Sequence, residues 1–403
     1  MMFQDAQRTL AQFLAPLSLD EFLDRTLGGG FRQIEGRETP ARTALLGPDP
    51  QSTLLGAWNL APKLTFHSAN ATEPPPSLEG IADAADFRRR IAALQARHYS
   101  VRFPELRPLS PALDSLARAL EVLLHAPVTT SAFWSQGLMR APVHYDDHDL
   151  LVVQLRGTKR WYVASKPSDL PNTWKYVPAR TLELGAHATV DVRPGDVLYL
   201  PRGTLHSVDS DSGSIHVAIG FTPLTLREAL IAAVDHLSDL DPRLRQTVGA
   251  RIAYQAMGGN FERLVPALIE AATGVLAACR TPGFIASAMQ WRSSRAISTL
   301  RPLGSPAAVP ALELDTELAQ TAAAFCHLTA TPETIDVTYP GGHLHIHRGA
   351  EESVVYIVNT PRFRVRDIPG AASDEVRLSL AASFLGIGFL QLAAGGAVTS
   401  PPD

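Results

Sequence analysis

From Val128 to Phe221 the chain repeats short apolar runs broken by turn residues: Val128–Trp134, Leu150–Arg156, Arg160–Ala164, Ala188–Val192, Val197–Leu200 and Ser214–Phe221. Gly157, the Pro194-Gly195-Asp196 turn, and Pro201 with Gly203 punctuate them. Short strands in such succession predict an antiparallel barrel or double-sheet roll. A barrel of this kind has room inside for one ion and a small ligand.

Before these strands the period is that of helices. Asp5–Leu14 and Ser18–Leu27 predict two short helices, the second capped by Ser18 with Glu21 three residues on and ended by Gly28–Gly30. Ser68–Ser77, with Pro74–Pro76, reads as a loop. Phe87–Arg97 reads as a solvated helix, with Arg88, Arg89 and Arg90 on an ordinary exposed face. Pro111–His125 carries Leu113, Leu116, Leu120, Leu123 and Leu124 at helical spacing and is expected to pack on the following sheet.

After Phe221 the helical period returns at Leu226–Leu237, Pro242–Gln255 and Phe261–Cys279. Pro302, Pro306 and Pro310 mark a linker. Beyond it the sequence predicts a helix at Leu314–Leu328, strands at His343–His347 and Val354–Ile357, and a late helix at Val376–Leu385.

With 403 residues, 45% hydrophobic and 19% charged, the chain is long enough for two or three domains. A formal charge of -4 gives no overall basic footprint, so nucleic acid is a poor candidate partner. The two cysteines, Cys279 and Cys326, make neither a disulfide framework nor a cysteine-rich zinc site. No apolar run has membrane-spanning length, and the expectation is a soluble, cytoplasmic protein.

The chemistry concentrates in VHYDDHDLLVVQLRGTKRWYV, Val143–Val163. His144 and Asp146 alternate, which on an extended strand places imidazole and carboxylate on one face. VRPGDVLYLPRGTLHSV, Val192–Val208, brings His206 just after a strand and its turn. Two histidines and one carboxylate on one side of a metal leave its other positions open, the arrangement of non-heme Fe(II) oxygenases. His148 has the same parity and is the internal competitor for the ion; a position beside the site or on the surface is the plainer reading. Asp147 and Asp149 take the opposite parity, as solvated charges or strand-end caps. Lys159 shares its parity with Trp161 in an otherwise apolar strand and is expected to point inward, where an ammonium needs an anion such as a co-substrate carboxylate. Ser214, His216 and Ala218 share one strand face, either lining the pocket or as satisfied core residues.

The run from Val143 to Val163, followed by PGDVLYLPRGTLH and GSIHVAIGF, resembles the JmjC-type, cupin-fold 2-oxoglutarate oxygenases of the ribosomal oxygenase group, which hydroxylate residues of ribosomal proteins. The likeness is specific from about Thr129 to Phe221. It implies iron at His144, Asp146 and His206, and Lys159 paired with the distal carboxylate of 2-oxoglutarate. It carries Thr130 and Ser214 over as polar positions flanking that carboxylate. It implies an α+β chain in three parts: a double-stranded β-helix (cupin/JmjC) catalytic domain with an N-terminal helical lead-in over 1–225, a helical dimerisation segment over 226–300, and a winged-helix-like domain over 301–403. The cofactors implied are Fe(II), 2-oxoglutarate as co-substrate, and O2.

Three functions stay open on the sequence: hydroxylation of a protein side chain, with a ribosomal protein's arginine or histidine as the implied target; oxidation of a free amino acid, peptide or secondary metabolite; and a cupin-fold binding protein without turnover. A homodimer is the expected assembly. His343, His345 and His347 alternate along one strand, which suggests a metal, but an exposed strand meeting solvent or substrate is the stronger reading. The late helix has Asp374, Glu375 and only Arg377, which does not suit DNA recognition.

Overall fold

A computed structural model of the chain describes residues 3–36, 39–68, 71–167, 183–210, 213–248, 261–306, 308–322, 324–370 and 373–393. The chain forms two compact units. One is built on residues up to Pro223, with Ala319–Phe325 and Gly388–Gln391; the other takes Leu224–Leu318, Cys326–Ile387 and the residues from Leu392.

In the first unit the strands are β1 (Arg32–Ile34), β2 (Thr65–His67), β3 (Ser100–Pro104), β4 (Val128–Ser135), β5 (Met139–Arg140), β6 (Asp149–Arg156), β7 (Lys159–Ala164), β8 (His187–Val192), β9 (Val197–Leu200), β10 (His206–Ser210) and β11 (Ser214–Phe221). They make a seven-stranded sheet in the order β1-β9-β6-β11-β4-β3-β2 and a four-stranded sheet in the order β5-β10-β7-β8. The pairings are antiparallel.

The larger sheet is buried on both faces, which explains why β6 and β11 read as apolar runs rather than alternating ones. Leu151, Val153, Ile215, Val217 and Ile219 face a core with Leu10, Phe13, Phe87, Ile91, Leu113, Leu116 and Leu120 from the lead-in helices. Leu150, Val152 and Ala218 face the smaller sheet through Trp161, Val163, Val190 and Val208. Two sheets closed over one interior are the double-sheet roll that the strand pattern predicts, and the double-stranded β-helix that the resemblance implies.

Local signals set the lead-in helices. Phe3–Leu14 buries Ala6, Leu10, Phe13 and Leu14 at helical spacing. Ser18 accepts from the N–H of Glu21 as expected, although the following turns, Phe22–Thr26, are wound as a π-helix. The arginine-rich helix runs over Ala84–Ala96; Phe87, Ile91 and Leu94 are buried, while Arg89 and Arg90 pair with Asp86. Pro111–Leu124 starts on Ser110, whose Oγ accepts from the N–H of Leu113, and stops at His125 in the left-handed region. At the β6–β7 turn Gly157 has φ of 63° and a Cβ there would lie 2.2 Å from the carbonyl oxygen of Gly213, so only glycine fits. The sequence pattern does not reveal β1, β2, β3, β5 and β10, which are too short to show a period.

The second unit has helices at Leu226–Leu240, Val265–Cys279 and Phe284–Thr299, and an antiparallel meander of His327–Ala330, Thr334–Tyr339 and Gly342–His347. The helix expected at Pro242–Gln255 is a 3-10 turn over Pro242–Arg245, and its part from 249 lies outside the described residues. Two expectations are corrected. Leu314–Leu328 is not helical: Ala and Leu favour helix locally, but Glu317–Gln320 is a strand and His327–Ala330 pairs with Thr334–Tyr339. Val354–Ile357 is not a strand: despite its β-branched residues it lies in the helix Glu351–Asn359, where Val354 and Ile357 fall three apart on the buried face. The late helix is present, over Asp374–Gly386, capped by Ser373. Among the described residues no helix is long and apolar enough to cross a membrane.

Candidate metal centre and its cavity

The loop after β5 and the start of β10 meet as a bridge. The N–H of His144 donates to the carbonyl of His206 at 3.0 Å, and that of His206 donates back at 2.8 Å. The N–H of Gly203 donates to the backbone carbonyl of Asp146 at 2.8 Å, tying the carboxylate-bearing loop to the turn before β10. These bonds bring three side chains together. One ligand atom each of His144, Asp146 and His206 lies within 4.8 Å of the others, and His206 Nε2 is 3.6 Å from Asp146 Oδ2.

The donor chemistry fits a divalent metal. His144 Nδ1 is 2.8 Å from the carbonyl oxygen of Pro142, and His206 Nδ1 is 2.9 Å from that of Thr204. A carbonyl only accepts, so both Nδ1 atoms carry hydrogen and both Nε2 atoms keep a lone pair for an ion. Burial, and then the neighbouring His144, lower the pKa of His206 to about 4, which keeps it neutral as a ligand must be.

The three face a cavity of about 440 Å³ between the two sheets, within the size range of small-molecule sites, about 300–1,000 Å³. Lys159 lines it from β7, only 1% exposed, with Nζ 3.4 Å from the carbonyl oxygen of Phe133. Burial lowers its pKa to about 7. Trp161 and His216 line it as well, with His216 stacked on Phe133 at a centroid distance of 4.9 Å.

The structure does not bring Thr130 to this cavity. Thr129, Ser131 and Phe133 of β4 line it, whereas Thr130 has the other parity and its Oγ1 accepts from the N–H of Leu106 at 3.1 Å. Ser214 has the parity of His216, but it is fully buried and its Oγ lies 2.8 Å from Ser210 Oγ, closing the β10–β11 hairpin. His148 lines the cavity without joining the triad; its Nδ1 is 2.7 Å from Asp147 Oδ1. His343, His345 and His347 are exposed in the second unit, with His345 Nδ1 2.9 Å from Asp336 Oδ1. Among the described residues the metal-capable cluster is His144, Asp146 and His206.

Asp149 is neither solvated nor a simple cap. It is buried, accepting from the hydroxyl of Tyr199 and, at 3.0 Å, from the N–H of Arg202. Burial raises its pKa, and burial with the nearby Asp149 raises that of Tyr199. The pair fixes the turn that delivers His206. Its sequence signal was only that Asp149 opens a strand buried on both faces. Sequence reading also missed His67, Ser100 and Arg102, which line the cavity from β2 and β3.

A double-stranded β-helix holding two histidines and a carboxylate at the mouth of an internal cavity defines a cupin-type metal site. More particularly, residues 110–229 match the JmjC domain family, and that stretch of the chain is a JmjC domain. Ribosomal oxygenase 2 of Rattus norvegicus is 40% identical over 137 residues, 33% of this chain and 28% of the rat protein. The bifunctional lysine-specific demethylase and histidyl-hydroxylase NO66 of Drosophila persimilis is 34% identical over 231 residues, 53% of this chain and 31% of that protein. The matched part thus spans under a third of these relatives. The fold is similar to that of the ribosomal oxygenase YcfD of Escherichia coli, with a TM-score of 0.53 and 15% identity over 94% of this chain and 98% of that one.

Proposed function

We propose that this chain is an Fe(II)- and 2-oxoglutarate-dependent oxygenase that hydroxylates a side chain of a protein, with a ribosomal protein as the leading candidate substrate. The observation that carries the reading is one cavity shared by a His144–Asp146–His206 triad and a buried Lys159 with no carboxylate partner among the lining residues outside the triad. An ammonium in that position calls for an anion, and the distal carboxylate of 2-oxoglutarate supplies one. The reading agrees with the names of the relatives and with a similar fold that has been crystallised with cobalt and 2-oxoglutarate.

His144, Asp146 and His206 would hold the iron. Bound iron, with 2-oxoglutarate and O2 as co-substrates, would supply the oxidation of a C–H bond to C–OH, one oxygen atom of O2 going to the hydroxyl and the other to the succinate formed as carbon dioxide leaves. The chain's own part is positional. Lys159 orients the co-substrate by a charge-assisted hydrogen bond, and the apolar walls of Leu150, Val152, Val208 and Trp161 keep bulk water from the reacting atoms. The Pro142 and Thr204 carbonyls hold both imidazoles in the ligating tautomer.

Around this centre the reading has three parts: a catalytic domain over 1–225, a helical dimerisation segment over 226–300 and a winged-helix-like domain over 301–403. Homodimerisation is supported by apolar side chains left in solvent on the helices, among them Leu226, Leu230, Leu268 and Ile269. A cytoplasmic setting, without membrane or nucleic-acid partner, agrees with two free cysteines and the acidic balance.

The test is anaerobic titration with Fe(II) and 2-oxoglutarate, watching the visible charge-transfer band, followed by oxygen and succinate assay. The band should vanish in His206→Ala and weaken in Lys159→Ala. Wild-type protein giving neither band nor succinate would leave a cupin-fold binding protein as the better reading.

A further inference from the structure

The wall of the cavity made by β2, β3 and β4 carries a charge that the oxygenase reading leaves without a task. Arg102 of β3 lines the cavity half-buried, opposite Phe133 in the β3–β4 register. Among the described residues its guanidinium has no hydrogen bond or ion pair. Asp146 is the single carboxylate among the lining residues, and it belongs to the triad. Beside Arg102 stands His67 of β2, whose pKa is lowered to about 4 by burial and then by the charges of Lys159, His144 and Arg102. His67 is therefore a neutral imidazole and offers Arg102 no counter-charge.

Two cations thus face one interior. A dicarboxylate co-substrate gives one end to Lys159 and the other to the metal, which leaves five guanidinium N–H donors unmatched. A half-buried donor set that lines the cavity without a partner is placed to take an acceptor, and the available acceptor is the second ligand of the cavity, the group to be modified. A guanidinium or ammonium group entering there would instead meet like charge with no acid to balance it.

We propose that Arg102, with His67 beside it, forms a second acceptor-binding subsite in this cavity that selects the target: imidazole, amide or carboxylate side chains are admitted, and guanidinium or methylated ammonium groups are refused. The assignment rests on the oxygenase reading, which gives Lys159 and the metal to the co-substrate and leaves Arg102 to the target.

The experiment is saturation-transfer NMR on protein loaded with Zn(II) and 2-oxoglutarate, which is diamagnetic and turns nothing over, with acetate, acetamide and ethylguanidinium as probes. Acetate and acetamide should bind wild-type protein and weaken about tenfold in Arg102→Gln, the scale of one lost charge-assisted contact. Arg102→Lys, which keeps the charge without the fork, should keep part of the acetate binding and serves if the glutamine variant misfolds. Ethylguanidinium should not bind wild type but should bind Arg102→Glu. The proposal is overturned if neither acetate nor acetamide binds wild type, if Arg102→Gln leaves both unchanged, or if ethylguanidinium binds wild type as well as acetate does. It is also overturned if Arg102→Gln weakens 2-oxoglutarate as much as Lys159→Met and leaves acetate alone, since Arg102 would then serve the co-substrate. If 2-oxoglutarate itself fails to bind, the oxygenase reading falls separately, and the same probe titration on metal-free protein decides the subsite.

Discussion

His144 and His206 exchange both of their backbone hydrogen bonds, at 3.0 and 2.8 Å, and their rings lie 4.3 Å apart between centroids. Two imidazoles far apart in sequence are thereby joined by main-chain hydrogen bonds. A site tied by its backbone predicts that metal binding adds to the stability of the fold rather than creating it.

The first prediction follows from this. Co(II) at about a hundredfold excess over its Kd should stabilise the first unit by about 2.7 kcal/mol. Differential scanning fluorimetry should show the rise in wild type and lose it in His206→Ala. The metal-free protein should already give a cooperative transition; a chain that folds only with metal would contradict a site held by the backbone bridge.

Lys159 sets a pH dependence. Its pKa falls from 10.5 to about 7 on folding, so between these values the unfolded chain holds a proton that the native chain does not. Stability should therefore rise with pH across that window, and Lys159→Met should flatten the rise. Co-substrate binding should run the opposite way, because only the ammonium attracts a carboxylate. The Kd for 2-oxoglutarate should be nearly level below pH 7 and weaken by up to about tenfold per unit above it. Calorimetric titrations at pH 6.5, 7.5 and 8.5 would check it; a flat Kd would remove Lys159 from co-substrate binding.

Asp149 should matter to folding more than its place in an acidic run suggests. Asp149→Ala removes the acceptor of the Tyr199 O–H, whose oxygen still accepts from the N–H of Gly28, and of the Arg202 N–H, at a cost of about 1–3 kcal/mol. Denaturant unfolding measures that loss. Metal affinity should fall with it, because Arg202 opens the turn that ends at His206; Asp149→Asn, which keeps an acceptor, should recover most of both. An unchanged midpoint in Asp149→Ala would show the contacts to be incidental.

The helices of the second unit carry Leu268 and Ile269, each 61% exposed. Sedimentation velocity should find a dimer that Leu268→Glu with Ile269→Glu turns into monomers. Wild type sedimenting as a monomer at micromolar concentration would remove the dimer.

Strands β6, β7 and β9 were legible because Gly157, the Pro-Gly-Asp turn and Gly203 bound their apolar runs. The triad was legible because His144 and Asp146 alternate and His206 follows a turn. Lys159 could be placed by parity alone. What stayed hidden depends on long-range pairing: β2 and β3 are too short to show a period, so nothing in the sequence singles out Arg102 and His67. Thr130 was carried over by resemblance, and its parity on β4 turns it to the helices instead. After the proline-marked linker, local preference misled at Leu314–Leu328 and Val354–Ile357, where tertiary pairing and packing override it.

The larger sheet does not end where the JmjC match does. Its order runs on through β3 and β2, and its outer face is packed by helices that begin at Phe3. Residues 110–229 are therefore not a portable module in this chain. Excised, they would lose the wall that holds Arg102 and His67 and would present Leu151, Val153, Val217 and Ile219 to water. Any transplant, truncation or screening fragment that respects this architecture has to begin before the first helix.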